Sequence, residues 1–175
     1  LGVYVFKGCT SLKNVELPEC LEDLGWNSNF RGCTKLESIN IPSKISYLNE
    51  DDLIYYELAD CYNLTNITVS KDNKYYMIDN NALYGKKYGN DYGTLVRQLD
   101  RSITSFKVKD NTTSVSGQAF YGCDYLKNVD LNNVKEIDVS AFEGCKNLKY
   151  VVLPKSVTYV KAFCNKSIDC KLYVY

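Results

Sequence analysis

The chain has 175 residues, 21 basic and 21 acidic side chains, no histidine and eight cysteines. That length suits one domain, and the lack of histidine removes Ser-His-Asp and Cys-His catalysis and HExxH zinc sites. No run of 18 apolar residues is present, so no membrane-inserted helix is expected.

One pattern recurs along the chain. It reads Phe6-Lys7-Gly8-Cys9, then Leu12, Val15, Leu17 and Pro18, and returns at Phe30-Arg31-Gly32-Cys33 with Leu36, Ile39, Ile41 and Pro42. A weaker copy has Leu58, Asp60, Cys61, Leu64, Ile67 and Val69 at the same positions. The undisturbed steps between successive phenylalanines are 24, 22 and 21 residues. Self-similarity at that period marks a solenoid, and L-x-x-L/V-x-L is its leucine-rich variety. Val15 and Leu17 lie two apart, so in a strand both face one way while Glu16 faces the other. Neither buries its apolar side alone. Stacking the next coil brings Ile39 beside Val15, roughly 4.8 Å away across a parallel ladder. The prolines end each strand in one register, because proline cannot donate to a ladder.

Between Val69 and Ile103 the pattern lapses. The runs Tyr75 to Ile78, Ala82 to Tyr84 and Thr94 to Gln98 are bounded by glycine and asparagine, which reads as a β-hairpin over 73–99 projecting from its coil. Nine of the sixteen tyrosines lie between Tyr47 and Tyr92. Two readings apply: cross-strand pairs that hold the hairpin together, or a recognition surface. Tyr84, Tyr88 and Tyr92 are expected to be exposed, near the glycines of the turn. The register resumes at Ile103, Phe106 and Val108, and full copies follow at Phe120-Tyr121-Gly122-Cys123 and Phe142-Glu143-Gly144-Cys145. A second extended segment precedes each phenylalanine, as in Val134, Ile137, Val139, Ala141 and in Val157, Val160, Ala162, with an earlier version around Leu21, Leu24 and Trp26. The last strand falls at Leu172 and Val174. The expectation is one domain over 1–175, about seven coils with incomplete ends. An opening at Leu1 inside a repeat, with no signal peptide and no cap, reads as a piece of a longer protein.

Cys9, Cys33, Cys61, Cys123 and Cys145 share one repeat position and read as a buried, reduced ladder of small apolar side chains. Serine in place of Cys33 is expected to cost about 1–3 kcal/mol, since no partner for its hydroxyl is guaranteed. Cys20, Cys164 and Cys170 lie off the ladder; only Cys164 and Cys170 are close enough for a local bridge. No C-x₂₋₄-C pair offers a zinc site, and Glu50-Asp51-Asp52 lacks the spacing of a calcium loop. No metal or other cofactor is expected.

The combined pattern, V-x-x-I-x-x-x-A-F-x-G-C-x-x-L-x-x-V-x-L-P, resembles the BspA-like leucine-rich repeat proteins over nearly the whole chain. The resemblance implies a β-rich right-handed solenoid with one parallel strand per coil and short turns or second strands opposite. It also implies a bacterial cell-surface or secreted setting and a binding or adhesive role, with host matrix or other surface proteins as partners. No enzyme is expected.

The residues flanking each strand's inward side chain form a row: Asn14 and Glu16, Ser38 and Asn40, Asn66 and Thr68, Asn128 and Asp130, Tyr150 and Val152. Such a polar row suits a protein- or glycan-binding face; it equally suits a plain solvated sheet. Charge is uneven, −5 over residues 1–70, +4 over 71–109 and +1 over 110–175. No concentrated basic stripe argues for nucleic acid. Tyr84, Lys86, Lys87 and Tyr88 are expected to extend the partner surface from the Asn66 and Thr68 side. A structural spacer and a carbohydrate-binding module are the competing readings.

Overall fold

The computed structural model describes residues 1–24, 28–46, 57–86, 92–138, 140–161 and 171–174, and there the repeat becomes a β-solenoid. Its first face opens with β1 (Asn14–Val15), β2 (Ser38–Ile41) and β3 (Asn66–Val69), paired in parallel with Val15 opposite Ile39 and Ile39 opposite Ile67. Next come β4 (Tyr76–Asp79), β5 (Ala82–Gly85) and β6 (Thr94–Gln98). The first face resumes with β7 (Ser105–Lys107), and the opposite side gains β8 (Ser114–Val115). The two sides then alternate through β9 (Asn128–Asp130), β10 (Glu136–Ile137), β11 (Tyr150–Leu153), β12 (Tyr159–Val160) and β13 (Lys171–Val174). On the first face β7 pairs with β9 and β11 with β13, again in parallel. The seven strands expected on the first face appear in the expected register, while the extended segment expected around Leu21 and Leu24 forms no strand among the described residues.

In the full copies the turn between strands is built on the Phe-x-Gly-Cys segment. Phe6 stacks on Phe30 with ring centroids 5.3 Å apart, and Phe120 on Phe142 at 5.0 Å. The glycine takes positive φ, 77° at Gly32 and 79° at Gly144, a region open to residues without Cβ. Its N–H bonds the next coil, as from Gly32 to Ala59 O at 3.0 Å and from Gly122 to Glu143 O at 3.0 Å. A Cβ on Gly144 would meet Gly122 N at 3.0 Å, so the close stacking also needs glycine. In the weaker copy Asp60 adopts that conformation at φ 61°. Its N–H reaches the side chain of Gln118, 58 residues away, because the coil between supplies no such turn.

The hairpin does not project. β4 and β5 join through Asn80 and Asn81, both at positive φ, a two-residue turn of the kind that matches strand twist. β6 pairs antiparallel with β5 and parallel with β8, so the opposite-side sheet runs β12-β10-β8-β6-β5-β4. β5 and β6 are buried throughout. Leu83 and Val96 pack into one apolar cluster with Ile39, Leu64 and Ile67; Ala82, Tyr84 and Leu95 pack into a second with Phe106, Phe120 and Val129. Runs without polar alternation are those of strands covered on both faces. The insertion is therefore a wall between two halves of the core.

Cys33, Cys61, Cys123 and Cys145 are fully buried, and all six described cysteines are free thiols. Cys33 Sγ donates to Phe6 O at 3.0 Å, Cys61 to Phe30 O at 3.1 Å and Cys145 to Phe120 O at 3.1 Å. Burial pushes the Cys61 and Cys123 thiols up to about 12, which leaves them unreactive. Cys9 departs from the expected ladder: it is exposed, since each rung is covered by the coil before it and Cys9 lies on the outermost described coil. Cys164, Cys170, Trp26, Val139, Ala162 and the run Glu50 to Asp52 lie outside the described residues.

Candidate binding face

Because Val15, Ile39 and Ile67 turn inward, their neighbours in β1, β2 and β3 turn out. Asn14, Glu16, Ser38, Asn40, Asn66 and Thr68 line one open groove of about 480 Å³, with Val15 and Ile39 in its floor. All six were expected on this face. A second groove of about 610 Å³ shares Asn14, Ser38 and Asn66 and adds Glu37, Asn63, Thr65 and Arg101. Three side chains of the row are already engaged. Ser38 Oγ donates to Asn14 Oδ1 at 2.7 Å. Asn40 accepts from Leu17 N at 2.6 Å and donates to Leu17 O at 2.8 Å, extending the ladder past β1.

The row does not continue as one sheet. No ladder joins β3 to β7, and Asn128, Asp130 and Tyr150 stand exposed on β9 and β11 outside both grooves. Ser105 and Lys107 are exposed on β7 at the same register; their places beside Phe106 announce them in the sequence. Arg101 has no such signal, since its coil lacks the Phe-x-Gly-Cys turn.

Tyr84 must be removed from the candidate surface. It is 1 % exposed, at mid-strand, because the tight turn lies at Asn80 and Asn81 and not among the glycines that follow. Burial raises its phenol to about 12, against the Lys109 main-chain N–H that favours the ionised form. Tyr92 is only half-exposed; its hydroxyl donates to Lys74 O at 3.2 Å, and Lys86 Nζ lies 4.9 Å from its ring. Lys86 follows β5 on the other sheet and lines neither groove. Lys87 and Tyr88 lie outside the described residues.

The electrostatics of the face centre on Arg101. Glu37 is paired with Lys13 at 3.8 Å. Arg101 is half-buried, its Nη2 donates to Tyr62 O, and burial lowers its pKa. Its guanidinium lies 6.0 Å from the Tyr121 ring, which stacks on Tyr62 at 4.7 Å. Among the described residues no group of three His, Cys, Asp or Glu side chains is placed to hold a metal, and no helix is long and apolar enough to cross a membrane.

A family model for the BspA type leucine rich repeat region matches residues 1–90 and 98–171, in six copies. No curated protein matches the chain significantly. Among solved structures, a leucine-rich repeat protein from Eubacterium ventriosum is 25% identical with a TM-score of 0.69, over 99% of this chain and 45% of its own length. The pneumococcal vaccine antigen PcpA is 19% identical with a TM-score of 0.60, over 94% and 51%. A leucine rich cell surface protein from Faecalibacterium prausnitzii is 18% identical with a TM-score of 0.51, over 95% and 63%. The chain thus spans about half to two thirds of the length of these structures.

Proposed function

The chain belongs to the BspA-type leucine-rich repeat family, and on that premise we propose that it is a non-catalytic protein-binding module of a bacterial surface or secreted protein, adhesive in role. The groove over β1 to β3 supports this reading most directly. Six polar side chains from three coils converge there on an open, shallow surface, with the dimensions of a strip of polypeptide and no enclosed cavity for a small substrate. The family resemblance motivates the location and the adhesive role.

The test is a binding screen of this chain against matrix and surface proteins, followed by two groove variants, Asn66→Arg and Thr68→Arg. Both side chains are exposed, so the melting temperature is expected to hold while affinity for any captured partner falls at least tenfold. Partners whose affinity ignores both variants would remove the groove from the function.

A further inference from the structure

The strand face breaks between β3 and β7, and Arg101 stands in the groove at that break. Its contacts hold the guanidinium in place: Nη2 on Tyr62 O, the Tyr121 ring beside it, and Gly122, whose missing side chain would come 3.6 Å from Nη1. None of them neutralises it. Arg101 forms no ion pair among the described residues, and its Nε is buried with no hydrogen-bond partner. A guanidinium has five N–H donors in a rigid fork, and Arg101 makes a single hydrogen bond among the described residues. A buried donor without an acceptor is rare in folded proteins.

Asp124 is the carboxylate whose charge reaches Arg101, and it is ion-paired with Lys146 Nζ at 2.7 Å. Glu37, the one carboxylate lining the groove that holds Arg101, is paired with Lys13, and Glu16 lines the adjoining groove.

We propose that Arg101 is a carboxylate-binding subsite of the strand-face groove, and that the groove takes an acidic polypeptide segment lying across β1, β2 and β3. This rests on the binding role proposed above. Asn14, Ser38, Asn63, Thr65 and Asn66 offer donors and acceptors to a peptide main chain, and the planar guanidinium matches an Asp or Glu carboxylate. No aromatic ring lines either groove, so the apolar face of a sugar finds no ring to stack on.

The experiment is an NMR titration of the intact chain with capped hexaglutamate, with hexaglutamine and oligogalacturonate as parallel probes. Hexaglutamate is expected to saturate and move the Arg101 Nε–Hε resonance downfield, and hexaglutamine to leave it in place. Arg101→Lys, which keeps the charge and loses the fork, should weaken hexaglutamate at least fivefold. If that variant fails to fold, the resonance of the native chain still decides. Saturation with no change at Arg101, no saturation at millimolar peptide, or tighter binding of oligogalacturonate would overturn the proposal. If a screened partner is lost by Asn66→Arg but kept by Arg101→Lys, the carboxylate subsite falls while the binding face stands.

Discussion

Arg97 donates from Nη1 to the main-chain carbonyl of Cys61 at 3.1 Å, joining residues 36 apart in sequence. Its Nη2 takes Leu58 O at 3.2 Å. In every full copy the phenylalanine precedes the first leucine by six residues, and six residues before Ile103 stands Arg97. An arginine thus occupies the phenylalanine position of the coil that lacks the Phe-x-Gly-Cys turn. Leu58 O and Cys61 O already accept the main-chain N–H groups of Cys61 and Leu64, both at 3.2 Å, and the guanidinium adds a charged donor to each at the seam between the two apolar clusters.

Arg97→Ala is therefore expected to lower stability by about 2–4 kcal/mol in urea denaturation, since two buried carbonyls lose a charged donor. Arg97→Phe restores the repeat residue and should also destabilise, because a ring donates nothing to Leu58 O or Cys61 O. A phenylalanine variant as stable as the parent would show that the side chain only fills space.

The thiol bonds change what serine should do in the ladder. At position 33 the Phe6 carbonyl is a ready acceptor, so Cys33→Ser is expected to cost less than about 1 kcal/mol, below the value anticipated from burial alone. The Cys123 thiol has no hydrogen bond among the described residues, and Cys123→Ser should cost about 1–3 kcal/mol. Equilibrium unfolding of the two variants makes the comparison. In the native protein Cys9 and Cys20 should react rapidly with a thiol reagent, and Cys33, Cys61, Cys123 and Cys145 only on unfolding.

Period-two alternation made the strand face legible: once Val15, Ile39 and Ile67 are inward, Asn14, Ser38 and Asn66 have one place to go. Repetition then multiplied a weak local signal into a register. The hairpin lacked that support. Asn80 and Asn81 carry a two-residue turn signal as good as the glycines downstream, and the wrong turn moved Tyr84 from core to surface. Arg101 left no local trace, because its site exists only where a missing turn lets one coil reach another. Tyr84 and Arg101 share a cause, since both fall where long-range packing replaces the repeat, whereas Cys9 is exposed because no described coil covers it.

Tyr84 now predicts as a core residue. It packs with Leu95, Phe106 and Val115 in the second cluster, and Tyr84→Ala should cost about 3–5 kcal/mol, the range for emptying a large aromatic site. Affinity for a groove-bound partner should follow the folded fraction and no more. A variant that kept its melting temperature and lost binding would return Tyr84 to the surface.

Glu57 gives the fold a pH dependence of definite sign. It stands just before Leu58, where the later copies have Ala119 and Ala141, and it is 1 % exposed. Its Oε2 accepts from Asn29 N at 2.6 Å, and Asn29 Oδ1 in turn accepts from Val5 N at 2.7 Å, so the position forms a polar ladder through three coils. Burial pushes the carboxyl up to about 7, with the Asp23 charge adding to the rise and the Asn29, Ser28 and Phe30 main-chain N–H groups opposing it. A folded-state pKa above the unfolded one means that the folded protein holds its proton longer than the unfolded chain does. The contribution is complete below about 4.5 and is lost as pH rises through 7, on the order of 3 kcal/mol in all. Glu57→Gln keeps an acceptor for Asn29 N and carries no charge. Its melting temperature should stay flatter than the parent's between pH 5 and 8 and exceed it at the upper end; parallel profiles would show that Glu57 does not titrate in this window.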